Sequence, residues 1–279
     1  GSATRKHTVD IDIDANTGLF DILINQQLWF RSGEVSFRSN GNIYTTNDQS
    51  LLFHDLVTTT GSDNLGDYNL NILTWRNNLN EQMIGHIKKY QKWIVFEQVF
   101  ETSFQNTSTN NADSIVTNFP SFNLFDDEVP RGYAHWDSWY YPDAETQARK
   151  LLVAPGFPSP LFGGWNSTTI LPQGIGGTGV NCIFNQDASV SVVLSPLNNF
   201  MVWSHTSSAP GILNHGIMGN VTEIPAGFNL KTMMYIGDGI NSAMSEWGTL
   251  LRDAYDKPDL LSARSRHMTL QYLGLSTDN

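Results

Sequence analysis

The sequence predicts a mainly β fold: a large antiparallel β-supersandwich followed by one C-terminal helix. Short runs that alternate between apolar and polar residues recur through the first 237 of its 279 residues. Turn-forming residues separate these runs, since the chain contains 26 Asn and 23 Gly. Helical spacing of apolar residues is almost absent before residue 237. Alternating runs between turn signals are typical of two packed antiparallel sheets.

The first predicted strand, from His7 to Asp14, has aliphatic residues on one face and carboxylates on the other. Asn-Gln, Ser-Gly and Asn-Gly pairs then separate the strands that follow it. Further strands are predicted at Leu19–Ile24, Gln27–Phe30, Glu34–Phe37, Leu51–Thr58, Tyr68–Trp75, Trp93–Phe104, Ser189–Leu194, Phe200–Trp203 and Phe228–Ile236. The stretch from Phe119 to Gly179 is rich in Pro, Gly and aromatics, and we expect it to be functional or to contain irregular strands.

The character of the chain changes after residue 237. Asn241 or Ser242 is expected to cap a helix whose apolar residues recur three and four apart, and Lys257-Pro258 ends it. The apolar run His267–Leu275 then predicts a strand buried on both faces, as in a parallel sheet. The predicted divisions are therefore a supersandwich at 1–237, a linker helix region at 238–265 and the first strand of another domain at 266–279.

This order of elements resembles glycoside hydrolases of the α-galactosidase, raffinose-synthase and α-glucosidase type, in which a supersandwich precedes a (β/α)8 barrel. The segment Tyr272–Asn279 is similar to the first barrel strand of that type, although Leu275 and Ser276 replace an aromatic pair. The resemblance implies that Asp278 lies at the C-terminal end of that strand, where barrels place active-site groups. It implies a barrel partner outside this sequence, without which the chain is inactive.

Composition excludes several classes of function. The net charge of −11 argues against nucleic-acid binding, and no apolar run is long enough for a membrane-spanning helix. A single cysteine, Cys182, excludes an internal disulfide. The run Gly174–Gly179 matches G-x-G-x-x-G, but a strand rather than a helix follows it. We therefore interpret it as a glycine-rich turn and expect no cofactor.

Two acidic runs imitate metal sites. Asp10, Asp12 and Asp14 have the alternate spacing of calcium ligands, but Ala15 replaces the required glycine. The strand periodicity instead favours the solvent face of an edge strand. The carboxylates of Asp126–Glu128 are expected to be solvated, so no metal site is predicted.

Catalytic signatures are weak in this sequence. Glycoside hydrolysis requires two carboxylates about 5 to 10 Å apart, and the sequence alone does not pair its acids. His205 and His215 flank a loop rich in Ser, Pro and Gly and could meet each other, but loop histidines are mostly solvated, so we expect solvated side chains there.

The strongest local feature is an aromatic segment with five large rings in the nine residues 133–141, interleaved with charged side chains. Aromatic faces stack on the C–H faces of sugars, and neighbouring charged groups bond to hydroxyls. The predicted carbohydrate-binding residues are Arg131, Tyr133, His135, Trp136, Asp137, Trp139 and Tyr140. The alternative is that these rings pack at one end of the sandwich or against a barrel.

The preferred function is the non-catalytic N-terminal domain of a carbohydrate-active enzyme, which packs on a catalytic barrel and contributes to carbohydrate binding. The alternatives are a stand-alone glycan-binding or surface recognition protein and a complete β-sandwich hydrolase. N-glycosylation sequons begin at Asn106, Asn166 and Asn220. They predict a secreted or lumenal glycoprotein.

Overall fold

The computed structural model describes residues 7–123, 131–136, 160–166, 179–207, 209–257 and 265. Within them lie strands β1 (Val9–Ile13), β2 (Phe20–Ile24), β3 (Gln27–Ser32), β4 (Ser36–Ser39), β5 (Asn42–Thr45), β6 (Leu51–Asp63), β7 (Gly66–Asn77), β8 (Gln82–Lys89), β9 (Trp93–Phe100), β10 (Phe104–Gln105), β11 (Thr117–Asn118), β12 (Ser121–Asn123), β13 (Arg131–Trp136), β14 (Pro160–Trp165), β15 (Val180–Asn185), β16 (Ser191–Pro196), β17 (Trp203–Thr206), β18 (Ile212–Ile217), β19 (Glu223–Ile224) and β20 (Phe228–Gly237). Helix α1 (Gly239–Ala254) follows the last of these strands.

Two large antiparallel sheets form the sandwich. One sheet has six strands in the order β1-β2-β3-β12-β18-β17, and the other has nine in the order β14-β13-β15-β16-β20-β9-β8-β7-β6. Two small sheets, β11-β4-β5 and β10-β19, complete the described strands. The predicted fold class, a mainly β sandwich with a C-terminal helix, is confirmed.

Residues that tolerate a left-handed backbone form the tight hairpin turns. Between β2 and β3, Asn25 and Gln26 both have positive φ, at 53° and 64°. Between β4 and β5, Asn40 and Gly41 adopt φ of 51° and 80°. Two successive positive φ values define the type I′ turn, whose twist matches that of the paired strands. The abundance of Asn therefore has a direct structural use in this chain.

Aromatic side chains fill the space between the two sheets. Phe96 of β9 stacks on Phe20 of β2 at 5.9 Å between ring centroids, and it meets Phe122 of β12 edge-on at 5.7 Å. All three rings are at most 3% exposed. Burying each such side chain contributes about 1.5–3 kcal/mol, so these contacts hold the sheets together.

Helix α1 covers part of the opposite face of the nine-stranded sheet, over β15, β16 and β20. Ala243 and Leu250 are its buried residues, and the indole of Trp247 donates to Ser195 Oγ at 2.8 Å. The predicted cap at Asn241 or Ser242 is wrong, because the helix begins at Gly239 and its cap lies three residues before Asn241. Its N-cap residue is Asp238, whose side chain forms no capping bond.

The structure corrects several predicted boundaries. Strand β8 was not predicted, and β13 and β14 lie within the stretch that lacked periodicity. The strand predicted at Trp93–Phe104 ends at Phe100, and the one predicted at Phe200–Trp203 begins only at Trp203. The strand predicted at 267–275 lies outside the described residues.

Candidate functional site

Strand β13 directs the first predicted sugar-binding residues towards the core of the sandwich. Arg131 is 6% exposed, and its Cζ lies 3.9 Å from the centroid of the Trp29 ring. Its Nη2 also donates to the backbone oxygen of Leu28 at 3.2 Å. Tyr133, two residues along the strand, is half-buried and packs against the same core. These contacts give Arg131 a structural role in joining the two sheets.

His135 belongs to a buried histidine cluster formed with His205 and His215. Its Nδ1 lies 2.8 Å from the side-chain oxygen of Asn181, and its ring meets His205 at 5.1 Å between centroids. His205 and His215 are directly paired across β17 and β18, with ring centroids 6.4 Å apart. All three side chains are fully buried. The expectation of solvated histidines at 205 and 215 is wrong, because cross-strand pairing turns both inward.

His215 is neutral at physiological pH. Complete burial lowers its pKa to about 4, although a hydrogen bond to the Pro120 carbonyl partly opposes this shift. In that bond His215 Nδ1 donates over 3.0 Å. Within the described ranges, no group of three His, Cys, Asp or Glu side chains is arranged to hold a metal ion.

The remaining predicted site residues are only partly described. Trp136 is the last residue of β13, but its side chain lies outside the described part of the chain. Asp137, Trp139, Tyr140 and Asp278 also lie outside it. The structure therefore groups Arg131, Tyr133 and His135 on one strand, and the sugar site at 131–140 stays a prediction. The three sequon asparagines, Asn106, Asn166 and Asn220, are all exposed.

A second candidate site is a cleft of about 1190 Å³ beside the six-stranded sheet, which we name the polar cleft. Its polar lining includes Asp12, Asp21, Arg31, Glu34, Asn118 and Asn123. Strand register explains the grouping, because paired residues on adjacent strands share a face. Asp12 pairs with Asp21, Asp21 with Arg31, and Arg31 with Asn123. Four strands thus contribute one polar row.

A bidentate ion pair fixes the middle of this row. Arg31 donates from Nε to Asp21 Oδ1 at 3.0 Å and from Nη2 to Asp21 Oδ2 at 3.2 Å. The hydrogen bonds and charge of Asp21 raise the pKa of Arg31. Both side chains are held in one geometry, as is typical of guanidinium–carboxylate pairs.

Asn118 lines the polar cleft and has a side-chain oxygen without a hydrogen-bond partner in the part of the chain that the structure describes. Its Nδ2 donates to the backbone carbonyl of Glu34 at 2.9 Å, and this acceptor fixes which way the amide points. The side-chain oxygen is buried and has no hydrogen-bond partner among the described residues. Leaving such an acceptor unpaired costs about 1–3 kcal/mol. Beside it, the Glu34 carboxylate accepts from Asn47 Nδ2 at 2.5 Å.

Two glycines shape the walls of the polar cleft. Gly18 has φ of 70°, and a Cβ there would lie 2.4 Å from the ring of Phe53, a cleft residue. A Cβ on Gly33 would lie 2.4 Å from Ser121 Oγ and 2.8 Å from the side-chain oxygen of Asn123. The absence of side chains at these positions lets Phe53 and Asn123 take their places in the wall.

The outer face of the nine-stranded sheet carries a charged group that we name the Glu97 cluster. It consists of Glu97, His86, Lys88 and Lys231. Burial alone would raise the pKa of Glu97, but the hydrogen bond from His86 and the two lysine charges outweigh it and lower that pKa. Two ammonium groups at 3.6 and 3.7 Å thus hold an ionised carboxylate on a 7% exposed residue.

Sequence reasoning missed both the polar cleft and the Glu97 cluster. The alternating acids at 10–14 did mark the first strand of the cleft. β1 is an edge strand on which Asp10 and Asp12 are exposed, as expected, and Asp14 is exposed just after its end. Lys89 reaches Asp10 at 3.3 Å, and Asn16 and Thr17 hydrogen-bond to Asp14.

No family model and no curated protein matches this chain. Among solved structures, a quadruple mutant of α-N-acetylgalactosaminidase NagBb from Bifidobacterium bifidum aligns with a TM-score of 0.54 at 7% identity. The same enzyme in complex with Gal-NHAc-DNJ aligns with a TM-score of 0.53 at 6% identity. Both alignments cover 91% of this chain but only 39% and 38% of the enzyme. At these identities the likeness shows a shared fold.

A putative aldose 1-epimerase from Escherichia coli K12 aligns with a TM-score of 0.41 at 10% identity, covering 83% of this chain and 99% of that protein. No helix in the described part of the chain is long and apolar enough to cross a membrane.

Proposed function

We propose that this chain is the non-catalytic β-sandwich domain of a glycoside hydrolase, which packs on a catalytic barrel and contributes to carbohydrate binding. The observation that carries the proposal is the fold match, in which 91% of this chain aligns with 39% of an α-N-acetylgalactosaminidase. The part of that enzyme outside the alignment is long enough to contain a catalytic domain. The predicted linker helix and the strand at 266–279 are the connection to such a domain.

The chemistry of the described carboxylates supports a binding role over catalysis. A glycosidase needs one carboxyl group as an acid and another as nucleophile or base, both directed at the scissile bond. In the polar cleft, Asp21 is engaged by Arg31, Glu34 by Asn47, and Asp14 by Asn16 and Thr17, which leaves Asp12 as the one lining carboxylate without a side-chain partner among the described residues. Carboxylates with such structural partners are better suited to orienting hydroxyl groups than to transferring protons.

The aromatic segment is proposed as a second carbohydrate contact. Arg131 and His135 anchor β13 inside the sandwich, and Tyr133 is half-buried beside them. Trp136, Asp137, Trp139 and Tyr140 then supply rings and a carboxylate to the rim of the barrel. The exposed sequons at Asn106, Asn166 and Asn220 support a secreted or lumenal enzyme.

The test compares this chain with the protein encoded by the full natural gene. We expect the longer protein to hydrolyse aryl glycosides, p-nitrophenyl N-acetyl-α-galactosaminide among them, and to lose that activity on Asp278→Asn. The 279-residue chain should show no turnover. A stop codon directly after Asn279 would overturn the proposal. So would turnover by the isolated chain that is lost when acids within residues 1–240 are substituted, because it would indicate a complete β-sandwich hydrolase.

The polar cleft favours one alternative function, a stand-alone glycan-binding protein, because the cleft is built entirely from this chain. A stop codon after Asn279 together with glycan binding by the chain would select that alternative.

A further inference from the structure

We infer that the polar cleft is a binding site for a neutral, hydroxyl-rich saccharide and that it discriminates against acidic sugars. The choice of saccharides as the ligand class rests on the proposed function. The location and the charge preference rest on the geometry of Asp12, Arg31, Glu34, Asn118 and Asn123.

The hydrogen-bonding groups left over in the polar cleft call for a ligand that donates. The buried oxygen of Asn118 has no partner in the described chain, and its amide nitrogen is already engaged with Glu34. Asp12 and Asn123 form no side-chain hydrogen bond with any described residue, although both line the same cleft. A sugar hydroxyl donates one hydrogen bond and accepts others, so vicinal hydroxyls match carboxylate and amide groups side by side.

The charges of the polar cleft exclude an anion. Among the described residues, four carboxylates, those of Asp12, Asp14, Asp21 and Glu34, line it together with one guanidinium, that of Arg31. That guanidinium already makes a bidentate pair with Asp21, so its charge is largely balanced. The carboxylate of an acidic ligand would be repelled by these like charges, whereas an uncharged polyol would not be repelled.

The dimensions of the polar cleft suit a short oligosaccharide. Its volume of about 1190 Å³ exceeds the range of about 300–1,000 Å³ that is usual for sites of drug-sized molecules. Phe53 is half-buried in the wall, and Gly18 packs directly against its ring. A ring held in this way offers a fixed apolar surface to the C–H face of a sugar.

A matched pair of disaccharides tests both parts of the inference. α-1,4-Galactobiose and α-1,4-digalacturonate have the same linkage and ring stereochemistry, and they differ by the carboxylates at C6. Saturation-transfer NMR and calorimetry on the 279-residue chain should give a dissociation constant for galactobiose of about 1 mM, with digalacturonate at least tenfold weaker.

Three variants locate the site. Asn123→Ala should weaken galactobiose binding by about fivefold, the loss expected for one hydrogen-bonding side chain. Asp12→Asn should reduce the difference in affinity between the two disaccharides, because it removes one negative charge that repels digalacturonate. Asp10→Asn is the matched control, since Asp10 is exposed on the same strand but does not line the polar cleft. These positions are exposed or half-buried, so melting temperatures should stay unchanged.

If Asn123→Ala and Asp12→Asn both bind galactobiose as tightly as the wild type does, the polar cleft is not the binding site. Equal or tighter binding of digalacturonate would overturn the charge preference, and failure of galactobiose to bind at millimolar concentrations would overturn the inference as a whole. None of these outcomes bears on whether the full-length protein hydrolyses glycosides, so the inference and the proposed function fail separately.

Discussion

Nδ1 of His86 lies 3.4 Å from Oε2 of Glu97 across the β8–β9 pair, with an ammonium group on either side of that carboxylate. Glu97 is 7% exposed. Its pKa is lowered, although burial by itself would raise the pKa of a carboxyl group. A carboxylate whose pKa falls on folding stabilises the folded state above its unfolded pKa. The stabilisation is lost as the pH falls through the lower, folded value.

The first prediction concerns Glu97→Gln. At pH 7 this variant should lose about 3 kcal/mol of unfolding free energy, because Lys231 then has no counter-charge among the described residues and Lys88 keeps only Asp63, at 4.0 Å. The wild-type advantage should persist down to about pH 5 and shrink below the ordinary carboxyl pKa of 4.5. Urea unfolding followed by tryptophan fluorescence from pH 7 to pH 3.5 measures both effects. Glu101→Gln, at an exposed position just beyond β9, should show neither effect.

The second prediction concerns His215, whose pKa falls from 6.5 to about 4 on burial. A histidine with a lowered folded pKa favours the unfolded state as the pH falls, because only the unfolded chain binds the proton. Between pH 6.5 and pH 4 the wild type should therefore lose about 3 kcal/mol through this residue.

His215→Phe removes this titration while keeping a ring beside Phe122 and Trp203. Its unfolding free energy should thus fall less steeply over the same pH range, and His54→Gln, at an exposed position, should follow the wild type. Parallel pH profiles for His215→Phe and the wild type would contradict the prediction.

The fold class was predictable because its signals are local. Alternation such as that of Val9, Ile11 and Ile13 predicts a half-buried strand, and Asn25-Gln26 predicts a tight turn. Helix α1 was recognised from its apolar spacing. In contrast, β13 and β14 contain three glycines and Pro160, which mask alternation, so only the structure identified them.

The polar cleft was not predictable, for a physical reason visible in one hairpin. A regular two-residue turn at Asn25-Gln26 would pair Asp21 with Phe30. A bulge between Ile22 and Leu23 shifts the register, so that Asp21 instead meets Arg31. Nothing in the sequence marks such a bulge. Asn118 and Asn123 come from strands almost 100 residues later, and only tertiary pairing brings them to the same site.

The third prediction concerns glycosylation of the three exposed sequons. Expressed through a eukaryotic secretory pathway, the protein should gain mass that an N-glycosidase removes. Asn166 should carry most of it, because Gly163 and Gly164 precede it and are also exposed. Asn166→Gln should therefore reduce the mass shift more than Asn106→Gln does. The sequon at Asn106 is less accessible, because its middle residue, Thr107, is fully buried. Unmodified asparagine at all three positions would argue against a secreted protein.

The fourth prediction contrasts one substitution at two glycines. A Cβ on Gly216 of β18 would lie 1.7 Å from the backbone oxygen of Thr117, which cannot move without separating β11 from β18. Gly216→Ala should lower the unfolding free energy by about 3 kcal/mol or more.

At Gly248, inside α1, a Cβ would meet nothing within 4 Å. Gly248→Ala should therefore raise the unfolding free energy by about 0.5–1 kcal/mol, because alanine restricts the unfolded chain and favours the helix. Urea unfolding of both variants measures the two changes. A loss of stability in Gly248→Ala would show that α1 packs against something at this position, and a neutral Gly216→Ala would show that β18 does not approach Thr117 so closely.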